Sequence, residues 1–112
     1  MKFYGLKTCD TCRKAQKELR AAGREFEVID VRADGVSAEK LHEWVGKVDW
    51  KKLLNTRSTT WRSLDASDKS DVDAAKAITL MAANPTLIKR PVIEVGGDIC
   101  VGWAAEVKTI LL

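Results

Sequence analysis

Lys2-Phe3-Tyr4-Gly5-Leu6-Lys7-Thr8-Cys9-Asp10-Thr11-Cys12 is the stretch whose reading decides the fold. Lys2 to Leu6 is short, apolar and aromatic, which predicts a strand. Thr8 and Asp10 are suited to starting a helix. From Asp10 to Ala22 the residues Cys12, Ala15, Leu19 and Ala22 recur at three- and four-residue spacing, with Arg13, Lys14, Lys17, Glu18 and Arg20 on the other face. Gly23 supplies the helix stop. Phe26 to Val31 then alternates and is apolar enough to predict a largely buried strand. The chain therefore opens as β-α-β, and the crossover is expected to be right-handed with its two strands parallel.

Outward from this unit the pattern becomes helical over residues 35–88. Ser37 is placed to cap a helix with the stripe Leu41, Trp44, Val45 and Val48, and Asp49 to Leu54 suggests another turn or two. Ser70 with Asp73 reads as a capping box heading a third helix, which must end near Asn84-Pro85. Strands return at Pro91-Val92-Ile93-Glu94-Val95 and Asp98-Ile99-Cys100-Val101, joined by the hairpin signal Gly96-Gly97. Trp103, Val107, Ile110 and Leu111 predict a closing helix. The expected architecture is α/β, a βαβ–ββα mixed sheet with an all-helical insert, in a single domain spanning residues 1–112.

Composition narrows the class. The 112 residues, 46% hydrophobic and 31% charged, are in the range of one globular domain. No run approaches the roughly 18 apolar residues of a membrane span, and Met1 leads into no export signal. Three cysteines, two of them in Cys-x-x-Cys, fit a reducing compartment, so a cytoplasmic protein is expected, and a monomer is the expected state. The net charge of +3 comes from scattered bases, which gives no reason to expect direct binding of nucleic acid or membrane.

The chemistry centres on Cys9. A Cys at the head of a helix faces unpaired backbone N–H groups and the positive end of the helix dipole, with Lys7 and Arg13 close in sequence. Such a site lowers a thiol pKa from its free value of about 8.5. Cys12, one turn on, is within reach to resolve an adduct on Cys9. Two blander readings stand beside this one. Free Cys is a common core residue, and Cys-x-x-Cys is also half of a zinc site. Cys100 and His42 lack ligand spacing to the pair, so no bound metal is expected. Cys100 reads as strand packing and His42 as a solvated helix residue. Asp65, Asp68, Asp71 and Asp73 read as a turn and a helix cap, and Trp61 and Trp103 as core or groove-lining aromatics.

Three separated runs carry a resemblance: Tyr4-Gly5-Leu6-Lys7-Thr8-Cys9-Asp10-Thr11-Cys12-Arg13-Lys14-Ala15, Leu53-Leu54-Asn55-Thr56-Arg57-Ser58-Thr59-Thr60-Trp61-Arg62, and Lys89-Arg90-Pro91-Val92-Ile93. Together, in this order, they resemble the arsenate reductase (ArsC) family, and more narrowly its Spx and YffB branches. The resemblance implies a thioredoxin-like fold with a cis-proline at Pro91 beside the active cysteine. It implies Cys9 as nucleophile, Cys12 as its partner, and Arg57 and Arg90 as oxyanion-binding arginines, with Lys7, Thr8 and Pro91 completing the substrate site. No bound cofactor is implied; glutathione is the expected co-substrate, and a small thiol or oxyanion the expected substrate. Typical arsenate reductases carry a third arginine where this chain reads Cys100-Val101-Gly102-Trp103, which points away from arsenate as the true substrate. Two functions follow: a glutathione- or thiol-dependent reductase, or a redox-switched regulator of the Spx type that binds RNA polymerase through a Cys9-Cys12 disulfide switch.

Overall fold

The computed structural model describes residues 1–112, which divide into two compact units: Met1–Asp34 with Arg90–Leu112, and Gly35–Lys89.

The first unit contains the sheet. Strands β1 (Lys2–Gly5), β2 (Glu27–Asp30), β3 (Val92–Val95) and β4 (Asp98–Val101) lie in the order β2-β1-β3-β4. The β1 and β2 strands are parallel, as the βαβ reading requires, and β3 runs antiparallel to both β1 and β4. Gly96 and Gly97 turn the β3–β4 hairpin at φ +55° and +81°, the pair of positive dihedrals that a two-residue turn matching strand twist needs. Helix α1 (Asp10–Ala21) buries Cys12, Ala15 and Leu19. Its end is a Schellman motif: Gly23, at φ +76°, donates its N–H to the Arg20 carbonyl, and Arg24 donates to Leu19. The short helix α2 (Val31–Asp34) follows β2 directly, with the Asp30 carboxylate accepting from the N–H groups of Arg32 and Ala33 at 2.8 and 3.1 Å.

Phe3 belongs to this unit's apolar cluster with Cys12, Ala15, Leu19, Ile93, Val107 and Leu111. Phe26 tilts against its ring with centroids 5.6 Å apart. Two expectations are corrected. The β2 strand is an edge strand with one neighbour, so Val28 is 46% exposed and the strand is not largely buried. The closing helix runs over Ala105–Leu111 and buries Val107 and Leu111, while Ile110 faces solvent and Trp103 precedes the helix. The predicted stripe took in two residues that the helix start and phase leave out.

The second unit is helical. In chain order it holds α3 (Ala38–Val45), α4 (Trp50–Leu53), α5 (Thr59–Arg62), α6 (Ala66–Lys69), α7 (Ala74–Ala83) and a 3-10 turn at Pro85–Leu87. Ser37 caps α3 by accepting from the Lys40 N–H at 3.1 Å. Leu41, Trp44, Leu53, Ala77, Met81 and Leu87 are fully buried. Ser70 does not head α7; it closes α6, and the cap of α7 is Asp73, whose carboxylate accepts from Lys76 N–H at 2.8 Å. The reason is local: Asp71 takes φ +51°, which breaks the chain between the two helices. The last extended segments, at Leu54 and Ile88, form one antiparallel bridge. No helix in the structure is long and apolar enough to cross a membrane.

Candidate active site

Cys9 is the N-cap residue of α1, in extended backbone geometry at φ −85° and ψ 117°, and its carbonyl accepts the Arg13 N–H at 3.0 Å. Lys7 and Thr8 form the exposed turn before it, closed by the Cys9 N–H donating to the Leu6 carbonyl at 3.2 Å. A strand ending at Gly5 and a helix starting at Asp10 thus aim the sulfur at the open end of the helix, half-buried.

Partial burial by itself raises the Cys9 thiol. It is outweighed by the Cys12 backbone N–H, the Cys12 thiol and the Arg90 guanidinium, which together hold the pKa below the ordinary thiol value of 9.0. The lowering comes first from hydrogen bonding by Cys12 and Arg90 to the thiolate and then from the charge of Arg90. Cys12 is the opposite case. Its side chain has no solvent exposure, and burial, reinforced by the neighbouring Cys9, pushes its pKa up to about 12 against the lowering influence of the Leu6 backbone and Arg90. The pair is one activated thiol and one protonated thiol, both free.

Gly5 makes room for this arrangement, and the sequence reading did not single it out. A Cβ built there meets Cys12 Sγ and Phe3 Cε1, each at 2.9 Å. The signal available in the sequence was a glycine inside a strand, which marks close approach of another group. Gly5→Ala is expected to destabilise the protein by about 1–3 kcal/mol through overpacking, read as a lower urea midpoint.

The Cys12 shift also has a stability consequence with a definite sign. Folded Cys12 keeps its proton up to about pH 12, whereas an unfolded thiol loses it near 9.0. The contribution is intact below pH 9 and is lost as pH rises from 9 toward 12. The unfolding free energy from urea titrations should fall between pH 8 and pH 10.5 by about 1–2 kcal/mol more for wild type than for Cys12→Ala.

Of the residues the sequence singled out, the first unit brings together Cys9, Cys12 and Arg90. Pro91, buried, follows Arg90 through a cis peptide bond, and its carbonyl accepts the Gly102 N–H at 2.8 Å. Arg13 does not serve Cys9: its Nε donates to the Lys7 carbonyl at 2.9 Å and its guanidinium pairs with Asp10. Lys7 lines a cleft of about 380 Å³ together with Gly5, Leu6, Gln16, Val28 and Asp34. Trp103 packs against the Phe3 cluster and donates its indole N–H to Glu18, whose carboxyl is held below its ordinary value by that bond and by Lys108. Cys100, in β4, packs on the same cluster, and burial pushes its thiol up. Arg57 belongs to the second unit, where its N–H donates to Asn55 Oδ1 at 3.0 Å. His42 is exposed.

A mixed sheet in the order β2-β1-β3-β4, with a cysteine heading the first helix and a cis-proline opening the third strand, defines a thioredoxin-like protein. Within that class the chain belongs to the ArsC family, whose model matches residues 4–109. It is 42% identical over 100 residues to a protein of Haemophilus influenzae, covering 89% of this chain and 88% of that one. The solved structure of the YFFB protein superposes with a TM-score of 0.94 at 40% identity, covering 99% of this chain and 97% of that one. The global transcriptional regulator Spx 2 of Lactococcus lactis is 26% identical over 106 residues, covering 93% of this chain and 80% of that one.

Proposed function

We propose that the protein is a thiol-dependent reductase in which Cys9 is the nucleophile and glutathione supplies the electrons. The observation that carries this reading is the pairing, in one unit, of a thiol at the N-cap position, held low by Cys12 and the Arg90 guanidinium, with a buried, protonated Cys12. The Cys9 thiolate attacks the sulfur of a mixed disulfide between a substrate thiol and glutathione. A Cys9–glutathione disulfide forms, and the substrate leaves as a thiolate that takes a proton from water. A second glutathione thiolate attacks the glutathione sulfur of that adduct, releasing oxidised glutathione and restoring Cys9. Arg90 stabilises the charge on Cys9 as attacking and as leaving group. A protonated Cys12 is a poor attacking thiol near neutral pH, which favours glutathione as the resolving group. Lys7 and Thr8 directly precede the reacting residue in sequence, and they, Pro91 and Arg57 are assigned to substrate binding through their places in the family motif.

The test is glutathione-coupled turnover of a mixed-disulfide substrate and of arsenate by wild type, Cys9→Ser and Cys12→Ser. Turnover by Cys9→Ser at the wild-type rate overturns the reading. A second reading is favoured by the likeness to a transcriptional regulator and by the Cys-x-x-Cys pair: a Cys9-Cys12 disulfide that changes affinity for RNA polymerase. Pull-down with purified polymerase in oxidised and reduced states tests it, and equal, negligible capture in both states removes it.

A further inference from the structure

Trp103 follows β4 and ties that end of the sheet to helix α1. Its indole N–H donates to Glu18 Oε2, and the other oxygen of the same carboxylate lies 3.6 Å from Lys108 Nζ on the closing helix. The two contacts are not equal. Lys108 and Glu18 are each one third exposed, and an ion pair of that kind contributes little. The indole is half-buried against the Phe3 cluster, where an N–H without an acceptor is costly. Glu18 is therefore first of all the acceptor for Trp103.

On its other side Trp103 is joined to Gly102, which takes φ +82° and donates its N–H to the Pro91 carbonyl at 2.8 Å. Val92 pairs with Val101, so this bond extends the β3–β4 ladder by one rung, to the residue that follows Arg90. Arg90 hydrogen-bonds to the Cys9 sulfur, and Cys9 is the N-cap of α1. Glu18, Trp103, Gly102, Pro91, Arg90 and Cys9 thus form a closed ring that starts and ends on α1, within the first unit. Glu18 is not among the groups that act directly on the Cys9 thiol, so its influence on that sulfur runs through the ring.

We propose that Glu18 is a positioning residue: by holding Trp103 against α1 it fixes the Gly102–Pro91 pairing and keeps the Arg90 guanidinium beside Cys9. The proposal rests on the reductase reading and adds to it a residue that acts only through others. The test is the rate at which iodoacetamide alkylates Cys9 in the full chain at pH 6.5, localised to Cys9 by fragmentation mass spectrometry. At that pH the rate follows the thiolate fraction. Glu18→Leu and Trp103→Phe are each expected to slow it about tenfold, the effect of one nearby cation on a thiolate. Glu18→Gln keeps an acceptor for the indole and is expected to react at the wild-type rate. Lys108→Gln, which removes only the closing helix's contact with that carboxylate, is expected to do the same. Arg90→Met reacts slowly, and adding Glu18→Leu to it causes no further loss, because the two residues act in series.

The direction of the Glu18→Leu effect is the discriminating result. Removing a carboxylate that acted through space would speed alkylation, and removing a contact that only stabilises the fold would leave the rate of the folded protein unchanged. Either outcome overturns the proposal. Equal slowing in Glu18→Gln or in Lys108→Gln overturns it too, as does a further loss in the double variant. Far-ultraviolet spectra verify folding, and if Glu18→Leu does not fold, Trp103→Phe gives the same reading from the other partner. Wild-type Cys9 reacting like an ordinary thiol removes the reductase reading, whereas an activated wild-type Cys9 with no change in Glu18→Leu removes only the positioning role.

Discussion

Cys9→Ser is expected to lower glutathione-coupled turnover at least about 10³-fold, while Cys12→Ser retains a measurable rate. The first effect follows from the nucleophile itself. A hydroxyl at the same N-cap ionises far less readily than a thiol, so the helix end and Arg90, which hold Cys9 below its ordinary pKa, have no anion of comparable reactivity to stabilise. The second follows from burial. Cys12 has no solvent exposure and its pKa is about 12, so in the folded protein it reaches an adduct on Cys9 only as a protonated thiol. Steady-state rates at pH 7.5, with far-ultraviolet spectra to verify folding, check both. If Cys12→Ser is as inactive as Cys9→Ser, Cys12 is the resolving thiol and the glutathione step described above is wrong.

Phe3→Ala is expected to cost about 3–5 kcal/mol of stability, the range for removing a large aromatic from a packed core. Phe3 has no solvent exposure, lies on β1, which pairs on both sides, and touches the cluster that includes Cys12, Leu19 and Ile93. A small domain has only about 5–15 kcal/mol to lose, so this one side chain decides whether the first unit stays folded at 37 °C. The same variant should expose Cys12, because the Phe3 ring is one of the two groups crowding Gly5 beside the Cys12 sulfur. Urea midpoints give the stability change, and mass spectrometry after brief treatment with an alkylating reagent reads Cys12 modification, absent from wild type and present in Phe3→Ala. Wild-type stability in Phe3→Ala means that the cluster does not depend on its ring.

Much of this architecture was legible because its signals are local. Gly96-Gly97 between two β-rich runs can only be a tight hairpin of positive dihedrals, and it is. Gly23 ends α1 because the chain needs a left-handed residue where the helical stripe stops. Ser37 caps the helix it precedes. The misreadings are also instructive. Ser70 and Asp73 fit a capping box as well by spacing as by any other rule, but the positive φ at Asp71 ends one helix turn and leaves Asp73 as the cap of the next. Phe26 to Val31 reads as buried because its residues are apolar, yet the strand has a partner on one side only.

By itself the sequence determined that a cysteine would head the first helix and that a βαβ unit and a ββα unit would flank a helical segment. Hydrophobic period, caps and turn residues act over a few positions and are written in the order of side chains. Tertiary structure alone decided that β3 would lie beside β1, carrying Arg90 to the Cys9 sulfur, while Arg13, four residues from Cys9, turned to the Lys7 carbonyl. It also decided that Gly5 would leave the space into which the Cys12 sulfur fits. Strand order and the close approach of residues distant along the chain are set by how faces bury against one another, and local patterns of residues do not record that.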